Sequence, residues 1–139
     1  MRDNRIDVWF LSIKTAGRLP EEVRKPMKTM KYSLPIVPET GSSRKLKFDG
    51  ELLGSSDRPL DGTARYKTSV EIYRTKDGVY LTYVAYRDKD GNIGQANCVK
   101  TESLDFKAVR SSLRQASIYP GKIFAQALYK SFRSLEKSH

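Results

Sequence analysis

Between Thr68 and Arg87, two runs of β-branched and aromatic residues flank the turn Lys76-Asp77-Gly78. Gly78 can take the positive φ that a three-residue hairpin loop needs, so the stretch predicts a β-hairpin. Its loop length sets a register: with Thr75 opposite Val79, Tyr73 faces Leu81 and Glu71 faces Tyr83. One face then carries Val70, Ile72 and Val84, flanked by Tyr80 and Tyr86, and is expected to receive helices. The other carries Glu71, Tyr73, Leu81 and Tyr83. It is apolar enough to need a cover: an N-terminal strand, an arm or a partner.

Alternation with period two recurs along the chain. Ile6 to Lys14 alternates weakly and is rich in strand formers. Lys45 to Leu53 sets Leu46, Phe48, Gly50 and Leu52 against Lys45, Lys47, Asp49 and Glu51. Gly50 there marks a bulge or a close backbone contact. Gly54 to Arg65 reads as a loop. The turn Asp88-Lys89-Asp90-Gly91 leads into a weaker strand over Asn92 to Lys100.

The period then becomes helical. Thr101 or Ser103 can cap a helix over Leu104 to Gln115, with Phe106, Val109 and Leu113 as its buried stripe. Pro120 suits the first turn of a last helix running to about Glu136, with Phe124, Leu128, Phe132 and Leu135 as its apolar face. The predicted fold is α+β: an antiparallel β-meander of three to five strands, with two C-terminal helices on one face. Residues 45–139 form this α+β domain. Residues 1–44 are an N-terminal strand and a basic, proline-rich arm, within a single domain overall.

Composition adds a direction. The 139 residues carry a formal net charge of +10, and 38% hydrophobic residues leave room for one modest core. Such an imbalance suits phosphate backbones, an acidic protein partner or an anionic surface. Four of the six prolines, Pro20, Pro26, Pro35 and Pro38, fall between Ala16 and Ser43, where no period is sustained. Extended chain is expected there. The window Lys14 to Lys47 holds nine cations against Glu21, Glu22 and Glu39. Its candidate phosphate contacts are Arg18, Arg24, Lys25, Lys28, Lys31, Arg44, Lys45 and Lys47. In the last helix Lys122, Gln126, Lys130, Arg133 and Lys137 recur within an arc of about 80°, nearly opposite the apolar stripe. Lys122, Lys130, Arg133 and Lys137 complete the candidate nucleic-acid-binding set.

Catalytic chemistry leaves little trace. The single histidine, His139, is the last residue, and Cys98 is the single cysteine. Together they give no nucleophile–base pair and no zinc ligand set. Cys98 is expected to pack in a strand, and its solitary state fits a reducing, cytoplasmic compartment. Asp49, Glu51, Asp61 and Glu71 lie on or near strands but lack the Asp-x-Lys or Glu-x-Lys spacing of a metal-dependent nuclease. Asp88 to Asn92 resembles the start of a calcium loop, but Val99 stands where its glutamate belongs. No catalytic residue, metal or cofactor is expected. Val8-Trp9-Phe10-Leu11 is too short for a membrane span, so no membrane partner is expected. Tyr66, Tyr73, Tyr80, Tyr83 and Tyr86 crowd into one region, where they either stack single-stranded bases or simply build a sheet.

Tyr73-Arg-Thr-Lys-Asp-Gly-Val-Tyr-Leu-Thr-Tyr, with Phe48-Asp-Gly-Glu-Leu-Leu before it and Glu102-Ser-Leu-Asp-Phe after it, resembles part of the small prokaryotic EXLDI-type proteins. The likeness spans at most Lys45 to Leu128. Some such proteins carry an N-terminal DNA-binding segment; here the proline-rich basic arm stands in that place, and the family's C-terminal Glu-x-Leu-Asp-Ile is missing. The resemblance implies a prokaryotic or mobile-element setting and no particular activity. The charge favours a non-enzymatic nucleic-acid-binding accessory protein that contacts phosphates, DNA or RNA, through the arm and the last helix. The alternative is an adaptor subunit docking its arm on an acidic or groove-bearing protein.

Overall fold

The hairpin forms as its sequence dictates. In the computed structural model, which describes residues 29–137, Gly78 takes φ 89°, the Thr75 N–H donates to the Val79 carbonyl at 2.8 Å, and the Gly78 N–H donates back to Thr75 at 2.9 Å. Tyr73 pairs with Leu81 and Glu71 with Tyr83, the expected register. Around it five strands, β1 Met30–Ile36, β2 Arg44–Arg58, β3 Lys67–Thr75, β4 Tyr80–Arg87 and β5 Ile93–Thr101, form one antiparallel meander. Two helices, α1 Phe106–Gln115 and α2 Lys122–Glu136, follow.

The sheet curls until its ends meet. Just beyond β1, Val37 bridges Ala96 of β5 through reciprocal N–H···O bonds of 3.0 Å. The two faces of the hairpin therefore have different fates. Val70, Ile72, Tyr80 and Val84 lie under the helices with Val109, Leu113, Ile123, Phe124 and Leu128. Tyr73, Leu81, Tyr83 and Ala85 close the inside of the curl with Ile36 and Ala96, packed by Tyr32, Leu34, Leu46 and Phe48 of β1 and β2. The cover demanded by the second face is the chain's own first hairpin.

Several expectations shift. Met30–Ile36, within the stretch expected to be a loose extended arm, is the first strand of the sheet. Its alternation Tyr32, Leu34, Ile36 turns apolar side chains inward despite Pro35, which sits opposite Lys45 on a sheet edge where a missing donor costs little. Gly54–Arg58, expected as loop, continues β2 and pairs with Thr68–Ile72. Small polar residues hold a strand there because tertiary partners grip both of its sides. The bulge falls between Leu52 and Gly54 instead of at Gly50. Gly50 instead provides the close contact: a methyl there would lie 2.5 Å from the Arg74 carbonyl oxygen. The expected strand over Ile6 to Lys14 lies outside the described residues.

Gly54 decides where α2 sits. A methyl at this position would lie 2.7 Å from the Ala127 carbonyl oxygen and 2.7 Å from Ser131 Oγ. Only a bare backbone lets the helix descend so far on small residues. The fully buried side of α2 is accordingly Ile123, Phe124, Ala127, Leu128 and Ser131, with Phe132 and Leu135 only half-buried. This stripe is turned by about 60° from the one drawn by the large apolar residues alone. Ser134 Oγ then donates to the Leu53 carbonyl at 2.6 Å and Lys130 Nζ to the Ser55 carbonyl at 2.9 Å. Both carbonyls lie on the part of β2 beyond its pairing with β1, so α2 covers a strand edge that has no strand partner there among the described residues.

Candidate functional site

Among the described residues, a run of exposed cations lies on the two helices. Leu104 does not begin α1. Asp105 caps it, accepting the Ala108 N–H at 2.8 Å and braced by the Ser103 hydroxyl at 3.1 Å, so the expected cap at Thr101 or Ser103 moves to the carboxylate. At its other end Ser117 takes φ 60° and the Ile118 N–H returns to the Leu113 carbonyl at 2.8 Å, burying Ile118. This closure turns the chain through Tyr119 and Pro120 into α2.

Val109 and Leu113 anchor α1, which leaves Lys107, Arg110 and Arg114 exposed within an arc of about 60°. Phe106, expected in the buried stripe, is 45% exposed because it occupies the first turn, at the rim of the core. One face of its ring stacks on Phe124 at 5.4 Å between centroids, and Arg110 sits over the ring at 5.6 Å. On α2, Tyr129 stands almost opposite the buried stripe and is 61% exposed. Lys122 and Arg133 flank it within about 40° around the helix. The Arg133 guanidinium lies 5.8 Å from the Tyr129 ring centre. From Phe106 through Leu135 the chain contains no Asp or Glu. Asp105 at the N-cap of α1 and Glu136 at the end of α2, about 20° around the helix from Tyr129, bound this run of cations.

The predicted site residues divide into groups. Lys122 and Arg133 on α2 and Lys137 at its C-cap are exposed as expected. Lys130 is exposed too, but it commits one of its three donors to the edge of β2, and Gln126 accepts from the Ser56 hydroxyl at 2.7 Å. Lys31, Lys45 and Lys47 lie on the β1–β2 hairpin. The register places them on the same side of the sheet as Glu51, Arg74 and the helices. Lys31 pairs with Asp49 at 3.3 Å, and Arg74 with Glu51 at 2.8 Å, so carboxylates dilute this second patch. Arg44 pairs with Ile36, on the opposite side, near Cys98. Arg18, Arg24, Lys25 and Lys28 lie outside the described residues. Lys107, Arg110 and Arg114 were not among the candidates, although the acid-free run containing them is plain in the sequence.

The remaining chemistry is dispersed. Glu71 accepts the Tyr73 hydroxyl at 2.6 Å, and Asp61 accepts the backbone of Thr63 and Ala64 at 2.9 and 2.8 Å. Those bonds hold the Asp61 carboxyl below its usual range. Asp88 accepts the N–H groups of Asp90 and Asn92 at 2.9 Å, which lowers its pKa and makes it a turn-builder. Among the described residues, no three His, Cys, Asp or Glu side chains gather as a metal site. A depression of about 560 Å³ is open and lined by the acids Asp57, Asp88 and Asp90 and the bases Lys67 and Lys89. Tyr73, Tyr80 and Tyr83 are buried and Tyr86 is half-buried, while Tyr66, just before β3, is exposed with Arg65 5.5 Å from its ring centre. No described helix is long and apolar enough to cross a membrane. Comparison with family models, curated proteins and solved structures finds no match, and leaves the EXLDI-type resemblance where the sequence put it.

Proposed function

We propose that this protein is a non-enzymatic nucleic-acid-binding accessory protein whose helical layer contacts the phosphate backbone. The observation that carries this reading is the run from Phe106 to Leu135, which folds into two helices and holds the exposed Lys107, Arg110, Arg114, Lys122 and Arg133, with acids only at its borders, Asp105 and Glu136. Lys45 and Lys47 lie on the same side of the sheet, in the patch shared with Asp49 and Glu51. Cations spread in this way meet an anion that is itself repetitive, and backbone contacts of this kind position a nucleic acid without reading its sequence.

The test is fluorescence anisotropy with labelled DNA and RNA across a salt series. With about four phosphates neutralised, affinity for a duplex falls roughly 100-fold between about 50 and 200 mM salt. The pair Arg110→Glu and Arg133→Glu weakens binding and flattens that dependence. Absence of binding to either nucleic acid at low salt overturns the reading.

A further inference from the structure

We propose that the helical layer takes single-stranded nucleic acid, stacking bases on Tyr129 and Tyr119. This rests on the phosphate-binding reading above and names its substrate. Among the described residues, the large hydrophobic side chains that stand well exposed on the helices and their connection are aromatic: Phe106, Tyr119 and Tyr129 at 45, 68 and 61%. Phe106 has one ring face occupied by Phe124 and carries Arg110 near it. Neither Tyr129 nor Tyr119 stacks on another aromatic ring among the described residues, and Arg133, 5.8 Å from the Tyr129 ring centre, leaves that ring's other face open. Both flank Lys122, Tyr119 in the α1–α2 connection and Tyr129 two turns into α2.

A free ring beside a cation matches one nucleotide's needs: a π-face for the base and a positive charge for the phosphate. The bases of a duplex already stack on each other and offer no such face, whereas an unpaired strand does. A lipid surface fits less well. The aliphatic side chains that would enter a bilayer, Val109, Leu113, Ile123 and Leu128, are all turned into the core. What remains outside is rings and cations, without an aliphatic face.

The experiment compares the full chain and its Tyr119→Ala, Tyr129→Ala and Tyr129→Phe forms. Probes are labelled oligothymidylate of about 16 nucleotides, a duplex of equal length, and vesicles containing phosphatidylserine. The expected result is preference for the single strand, a loss of roughly 5- to 100-fold for each alanine variant, and retention by Tyr129→Phe, which keeps the ring. Tyrosine fluorescence is quenched on binding in the parent and less so in Tyr129→Ala. Alanine variants that bind oligothymidylate like the parent, or equal preference for the duplex, overturn base stacking while leaving the phosphate-binding function standing. Binding to vesicles and to neither nucleic acid overturns both.

Discussion

The inside of the curled sheet and the outside of the helical layer use tyrosine in opposite ways. Inside, the Tyr83 hydroxyl donates to the Pro35 carbonyl at 2.7 Å and the Tyr73 hydroxyl to Glu71 at 2.6 Å. Tyr32, Phe48 and Tyr73 meet as a cluster with centroids 4.8 to 5.3 Å apart. There the ring fills volume and the hydroxyl ties β1 across the curl to β4. Outside, Tyr129 packs against no core and keeps company with Arg133. A tyrosine-rich composition therefore says nothing about binding until each ring's surroundings are known.

The largest effect that separates the two regions is on stability. Tyr83→Ala removes a fully buried ring and orphans the Pro35 carbonyl, so denaturant unfolding registers a loss of about 3–5 kcal/mol. Tyr129→Ala stays within about 0.5 kcal/mol of the parent. Equal losses at both positions would erase the distinction, because they would mean that the outer ring is structural.

Next in size is the seat of α2. Gly54→Ala forces a methyl against the Ala127 carbonyl and the Ser131 backbone nitrogen, which lies 2.8 Å from it. Backbone atoms have no rotamer by which to move aside, so a loss of about 1–3 kcal/mol is expected. Gly62→Ala is the control: nothing lies within 4 Å of its added methyl. Its unfolding midpoint is expected to stay near that of the parent. An unperturbed Gly54→Ala would show that α2 is free to shift on β2, and the outward aim of Tyr129 and Arg133 would lose its structural basis.

Much of this architecture was legible in the chain. The hairpin register followed from one glycine turn, and the fate of its two faces from alternation. What escaped was tertiary. Ser55 and Ser56 carry no strand signal, yet pairing with β3, the bond from Lys130 to the Ser55 carbonyl and the bond from the Ser56 hydroxyl to Gln126 make that segment sheet. The rotation of α2 depends on Gly54, some 70 residues away, and a helical wheel contains no such information. The cations of α1 were missed for a simpler cause. Lys107, Arg110 and Arg114 lack the regular spacing of the α2 ridge, and what marks them is the absence of acids between Phe106 and Leu135.

The smallest expected effect concerns pH, and it belongs to the inner region. Burial pushes the Tyr83 phenol up from its ordinary 10 to about 12 and the Cys98 thiol from 9 to about 12, and it raises Tyr73 as well. In each case the folded protein holds the proton more tightly than the unfolded chain does. Their contribution is present in full below the unfolded values and is lost as pH climbs through about 9 to 12. Thermal melts should fall across that window, and native Cys98 should react with a thiol reagent far more slowly at about pH 8 than it does in denaturant. Equal reactivity of Cys98 in the native and denatured protein would show that the inner region opens to solvent, and its contrast with the outer rings would lose its basis.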